Sequence, residues 1–287
     1  SINSSPQISD CANTYNGLTM GSYFYFNGCD TSGNSKLFRT NGTTVTQVSN
    51  TNPGSSDNFI SMYEYGGNLY FDSNDSNNHE KLFKYDGSTV TQITDTSPGD
   101  GDYPRNLYLA NGIMYFTSRT NGISDWLYSY DGTTLTHIDT TPLPNATVVG
   151  TIGTKVLYSG LDQTVYPGVL RLKIYDGSTS STLVNDTHSS HPTLYAQTSS
   201  DLYILSPNTT KMQLYRYAGT TLHTVDDPQA DGVNDYLYGN SLAFVGSNAY
   251  MLKYDLSNVR TLYEYDGTSV TTLDAGGGNA SYEMFGG

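Results

Sequence analysis

Apolar and polar residues alternate with a period of two along nearly the whole chain, in short bursts separated by glycine-rich and hydroxyl-rich segments. Side chains two apart share one face of a strand, so this alternation predicts short β-strands and no helix. The clearest stretch sets the template. Ile60-Ser61-Met62-Tyr63-Glu64-Tyr65 alternates and stops at Gly66-Gly67, predicting a first strand, A. Asn68-Leu69-Tyr70-Phe71-Asp72 predicts strand B, and a polar loop runs from Ser73 to Glu80. Lys81-Leu82-Phe83-Lys84-Tyr85 predicts strand C, and Asp86-Gly87 supplies the positive φ of a tight hairpin. Thr89-Val90-Thr91-Gln92-Ile93-Thr94 predicts strand D, and residues 95–104 cross to the next unit.

The unit recurs. Leu82-Phe83-Lys84-Tyr85-Asp86-Gly87-Ser88-Thr89-Val90-Thr91 has counterparts at Leu37–Thr46, Leu127–Thr136, Leu172–Ser178, Leu214–His223 and Leu262–Thr271. The turn glycines fall at 42, 87, 132, 177, 219 and 267, in steps of 45, 45, 45, 42 and 48. A period of about 40–50 residues carrying four short strands is the signature of a β-propeller blade, which cannot bury its faces without neighbours. The expectation is an all-β, six-bladed propeller of four-stranded antiparallel blades, one domain over residues 1–287. Its blades fall near 11–50, 57–96, 103–140, 145–185, 190–226 and 235–274. Residues 280–285 resemble strand A, so they either close a ring of six or belong to a seventh blade.

Composition narrows the class of partner. A net charge of −14 repels phosphate backbones and anionic lipid, which argues against nucleic-acid and membrane-surface binding. No apolar run approaches the roughly 20 residues that span a bilayer. Few charges and abundant Ser, Thr, Asn and Gly suit a secreted or cell-surface β-protein. The first residues show no signal-peptide pattern and Met284-Phe285-Gly286-Gly287 resembles a cut turn, predicting part of a larger multidomain protein. Cys11 and Cys29 lie nine residues either side of Met20. A hairpin turning near Met20-Gly21 would oppose them, and a disulfide between them is expected in an oxidising compartment.

The recurring phrase resembles bacterial extracellular propeller repeats of the Glu-Leu-Trp-x-x-Asp-Gly-Thr type. Leu82, Phe83, Asp86, Gly87 and Ser88 match the first part of that pattern, with Phe in place of Trp. Asp95, Pro98, Gly99, Gly101, Pro104 and Leu107 match its continuation. The resemblance implies a secreted or surface location and motif residues that serve as scaffold, with no shared catalytic set.

Candidate chemistry therefore belongs where the repeat breaks down, on the longer B–C loops and D–A crossovers, which emerge on one face. Alternating oxygen ligands in Asp72–Glu80, and the groups Asp95, Asp100, Asp102 and Asp226, Asp231, Asp235, are candidate calcium ligands. The competing expectation is that they are solvated turn formers. Asp125, Trp126, Tyr103, Tyr166, Tyr236 and Tyr238 lie in or beside loops and are candidate ligand contacts. Trp126 reads either as a sugar platform or as an ordinary strand-C aromatic. His188 and His191, near Asp186, form the one local histidine cluster; with no third close ligand they are grouped with the ligand contacts. The reading is a non-catalytic recognition or adhesion module for an extracellular glycan or protein, with calcium rigidifying loops. Two alternatives stand beside it. One is a glycoside hydrolase or lyase using Asp102, Asp125 and Asp235 at a channel; the other is a structural spacer in a surface fibre or layer.

Overall fold

A computed structural model describes residues 17–59, 61–120, 124–139, 143, 146–162, 168–186, 192–207, 212–225, 237–254 and 260–274. These form 24 strands and no helix, arranged as six four-stranded antiparallel sheets of the β-propeller kind. No helix among the described residues is long and apolar enough to cross a membrane. The chain divides into two compact units, Ser1–Pro142 and Leu143–Gly287, with three sheets in each.

In the first unit, the blades are β1–β4, β5–β8 and β9–β12. Their strands are β1 (Leu18–Met20), β2 (Tyr23–Cys29), β3 (Ser35–Thr40), β4 (Val45–Gln47), β5 (Met62–Tyr65), β6 (Asn68–Asn74), β7 (Glu80–Tyr85), β8 (Val90–Gln92), β9 (Arg105–Ala110), β10 (Ile113–Thr120), β11 (Ser124–Tyr130) and β12 (Leu135–His137). The second unit holds β13 (Thr147–Ile152), β14 (Lys155–Asp162), β15 (Val169–Tyr175) and β16 (Ser180–Asp186), then β17 (Thr193–Gln197), β18 (Leu202–Pro207), β19 (Met212–Tyr217) and β20 (Leu222–Thr224). Its last blade is β21 (Leu237–Val245), β22 (Asn248–Tyr254), β23 (Arg260–Tyr265) and β24 (Val270–Asp274). Residues 275–287, including the strand expected at 280–285, lie outside the described residues.

A middle blade is buried on both faces, and β6 shows why the sequence allows it. Leu69 and Phe71 point to one side and pack with Tyr25, Leu37 and Phe83. Tyr70, on the other side, packs with Leu82, Met114 and Tyr130. Alternate residues reach opposite faces, so a strand that is apolar at every position needs a neighbour on each. In the second unit the same device places Leu202 and Ile204 in one cluster and Tyr203 in another.

Two expectations about element limits are corrected. Strand B does not end at Asp72, because Ser73 and Asn74 pair with Lys81 and Glu80 and shorten the loop to 75–79. Strand D of this blade is only Val90–Gln92. Beyond Gln92 the amides of Ile93 and Thr94 both point at the Leu82 carbonyl, at 2.8 and 3.4 Å. The Thr94 hydroxyl then accepts from Leu82 N, so a side chain ends the ladder. Val48, Ser49 and Leu37 repeat this ending one blade earlier. The hairpin expected near Met20-Gly21 is present, one to two residues further on. Met20 pairs with Tyr23, so the β1–β2 hairpin is centred between Gly21 and Ser22 and not midway between the two cysteines. Cys29 is buried at the end of β2, and Cys11 lies outside the described residues.

Candidate functional site

The recurring phrase is scaffold, and its chemistry is local. Asp86 Oδ1 accepts from Ser88 N, Thr89 N and the Ser88 hydroxyl at 2.9, 2.8 and 2.8 Å. Gly87 takes φ 99°, a left-handed value that a side chain would resist. Tyr85 closes the turn by donating its hydroxyl to Gly87 O at 2.6 Å. Tyr130, Tyr175, Tyr217 and Tyr265 make the same bond to Gly132, Gly177, Gly219 and Gly267. The bonds from Thr89 N, Ser88 N and the Ser88 hydroxyl hold the Asp86 carboxyl down at about 2.

The crossovers hold a second repeated device, which gives Asp95 and Asp102 a partner other than calcium. Lys36 and Lys81 stand one residue before the Leu-Phe of β3 and β7, and both are buried. Lys81 Nζ donates to Asp95 Oδ1, Ser97 O and Asp102 Oδ1 at 2.9, 3.1 and 3.0 Å. Lys36 Nζ does the same with Asn50 Oδ1, Asn52 O and Asp57 Oδ1 at 3.0, 2.9 and 2.7 Å. Asp95 and Asp102 thus converge on an ammonium supplied by the chain itself. Among the described residues no three His, Cys, Asp or Glu side chains gather as a metal site. Burial alone would lower the pKa of Lys81, but the two carboxylates outweigh it and the net shift is upward. Asp100 instead accepts from Gly101 N at 2.7 Å. Asp226, Asp231 and Asp235 lie outside the described residues.

The aspartates at the end of these two crossovers, Asp57 and Asp102, also join blades. Asp57 N donates to Ser35 O of its own side, and Asp57 O accepts from Asn74 N and the Ser73 hydroxyl of the next blade at 2.7 and 3.1 Å. Asp102 repeats this with Glu80 O, Arg119 N and Ser118. Asp102 is therefore a structural group, buried and ion-paired.

Between these staples the polar loop 75–79 forms a concave site. Asp75 Oδ1 accepts from Asn77 N and His79 N at 2.8 and 2.9 Å, folding the loop on itself. The first blade has the same construction, with Asp30 Oδ1 accepting from Ser32 N and Asn34 N at 2.8 and 2.9 Å. There Gly33 takes the left-handed position at φ 84°. In the second blade it is Asn78, at φ 64°, whose Oδ1 accepts from Asn74 Nδ2 and Asn52 Nδ2 at 2.8 and 3.3 Å. His79 replaces Asn34. His79, but not Asn78, lines a groove of about 370 Å³ between loop 75–79 and crossover 95–99, together with Thr51, Asn77, Gln92 and Asp95 among others. The Asp95 side chain is 62% exposed, so one carboxylate oxygen serves Lys81 while the group still faces solvent.

The expected ligand residues divide by location. Tyr103 is held at φ 49° with the Arg119 guanidinium 4.3 Å above its ring. Arg119 Nε is 3.8 Å from Asp125 Oδ1. Close by, Arg105 forms a bidentate pair with Glu80 and lies 3.7 Å from Asp72 Oδ2. Tyr103 and Asp125 therefore share one arginine. Trp126 packs edge-on against His137 at 4.6 Å and joins the cluster around Phe116 and Tyr128, which is the strand-C role. Burial lowers the pKa of His137. Tyr166, His188, His191 and Tyr236 lie outside the described residues, and of Tyr238 only the backbone, in β21, is described. The groove residues Asn77 and His79 were not singled out individually by sequence, although their loop was.

No protein-family model matches the chain, and no curated protein matches it in sequence. Among solved structures it is similar to the β-propeller domain of the Trilobed protease from Pyrococcus furiosus. That match has 10% identity, covers 91% of this chain and 84% of that one, and has a TM-score of 0.46. It is also similar to a puromycin-hydrolyzing peptidase of Mycobacterium tuberculosis, at 10% identity over 91% of this chain and 52% of that one, TM-score 0.44. TolB from Acinetobacter baumannii matches at 14% identity over 86% and 58%, TM-score 0.39. The blade count above comes from this chain's own strand pairing.

Proposed function

We propose that this chain is a recognition module that binds a glycan in the groove between loop 75–79 and crossover 95–99. The observation that carries the reading is the contrast between two copies of one loop. The Asp30 loop and the Asp75 loop share a fold, but the second carries Asn77 and His79 where the first has Ser32 and Asn34, and these two line a preorganised groove together with Asp95 of the crossover. Fixed hydrogen-bonding groups of both polarities suit sugar hydroxyls, and a loop already held by its own bonds loses little entropy on binding. The module acts without catalysis, at the cell surface or after secretion, within a larger protein of the extracellular repeat type. A disulfide between Cys11 and Cys29 belongs to the same reading, supported by the absence of a free thiol among the described residues.

Glycan-array binding by the whole chain, compared with Asn77→Ala and His79→Ala, tests it. Each variant is expected to weaken binding by roughly two- to tenfold, the worth of one hydrogen bond. A blank array at high protein concentration, or binding unchanged in both variants, overturns it.

A further inference from the structure

A second site stands on the opposite, turn-bearing end of the first unit, and an internal comparison within the chain exposes it. Strand C carries a residue two positions after its leucine, and another stands at the start of strand B or just before it; the pairing register brings these two positions close together. In the fifth blade they are Arg216 and Asp201. Arg216 Nη1 donates to Gly267 O at 3.1 Å, the turn carbonyl of the following blade. Its other edge, Nε and Nη2, is taken by Asp201 Oδ1 at 2.8 Å each. In the sixth blade the pair is Glu264 and Asn248, joined at 2.7 Å.

The first blade has the same arginine without its carboxylate. Arg39 Nη1 donates to Gly87 O at 3.3 Å, again the turn carbonyl of the following blade. Tyr25 lies opposite Arg39 as Tyr203 lies opposite Arg216, so Tyr23 occupies the place of Asp201. Tyr23 offers a ring face, its centroid 4.4 Å from the guanidinium carbon, in place of a carboxylate. Arg39 Nε is left buried with no hydrogen-bond partner. Beside this edge is a cavity of about 750 Å³ lined by Met20, Tyr23, Tyr25, Arg39 and Glu64 with the turn backbones. Glu64 does not repair the vacancy, because its Oε1 accepts from Gly67 N at 3.1 Å within its own hairpin.

We infer that this cavity binds a small organic carboxylate, with Arg39 supplying to the ligand the side-on edge that Arg216 supplies to Asp201. A guanidinium edge matches a carboxylate in two parallel hydrogen bonds. The Tyr23, Tyr25 and Met20 side chains favour a ligand with a flat or apolar body, and an aromatic carboxylate fits both demands. Because Nε is shielded, full pairing requires the Tyr23 ring to slide along the guanidinium. This site is independent of the glycan groove.

The test is titration of the whole chain with benzoate, acetate and glucuronate, with benzamide and glucose as uncharged controls. The readout is the Arg Nε–H resonances. Benzoate is expected to shift the Arg39 resonance and to bind about tenfold or more tighter than benzamide, the weight of one charge-assisted hydrogen bond. Arg39→Gln should lose that preference. Tyr23→Asp should also lose it, because the introduced carboxylate occupies the edge, and should raise the melting temperature. A stronger response to glucuronate than to benzoate keeps the carboxylate site and assigns it to acidic sugars. Equal binding of benzoate and benzamide, an Arg39 resonance that does not move, or undiminished binding in folded Tyr23→Asp overturns the inference.

Discussion

At the scale of single residues, the chain repeats one turn with small chemical variations that serve as controls. Asn41 occupies the place of Asp86 and accepts from Thr43 N and Thr44 N at 3.0 and 2.9 Å. Asp86→Asn is therefore expected to keep the turn, whereas Asp86→Ala removes the acceptor. The difference should depend on pH. The folded carboxyl sits at about 2, below the ordinary value near 3.9. Its contribution is present above the unfolded value and is lost as pH falls toward 2. Thermal unfolding of wild type and Asp86→Asn at pH 7 and pH 2.5 checks this, with wild type losing more stability on acidification. Tyr130→Phe removes the hydroxyl that donates to Gly132 O at 2.7 Å. Urea unfolding should register about 1 kcal/mol, and a change near zero would mean that packing alone holds the turn.

At the scale of elements, the staple between blades is the main stabilising device that the alternation pattern does not reveal. Lys36 and Asp57, and Lys81 and Asp102, stand 21 residues apart, beyond any local period. The sequence pattern offers Asp95 and Asp102 as calcium ligands or as solvated turn formers, and neither reading includes the cation already in the chain. A signal was present. Lysine precedes Leu-Phe in the two blades whose crossovers contain Pro-Gly-x-x-Asp, and Trp126 replaces it in the third, whose crossover lacks that motif. Lys36→Met would strand a buried carboxylate, which is expected to cost about 3–5 kcal/mol in urea unfolding. Removing both Lys36 and Asp57 charges should recover part of that loss. Because the Lys81 pKa is raised in the fold, its contribution is present below its ordinary value of 10.5 and is lost as pH rises through the folded value. Alkaline unfolding should thus begin earlier in wild type than in a variant whose staple is apolar.

At the scale of the whole molecule, the architecture was legible because it depends on what repeats: strand period, Asp-Gly turns and the spacing of blades. The candidate sites depend on what does not repeat. His79 and Asn77 gain meaning only beside Asn34 and Ser32, and Arg39 only beside Arg216, comparisons that require the loops and registers to be aligned in space. The most direct measurement of the central claim is amide chemical-shift mapping of the whole chain with the tightest glycan from an array. Shifts should concentrate at Asn77, His79 and residues 95–99, with the Asp30 loop and the Tyr-Asp-Gly turns unmoved. Shifts spread over the turns, or confined to the Asp30 loop, would contradict the assignment of function to the second blade's groove.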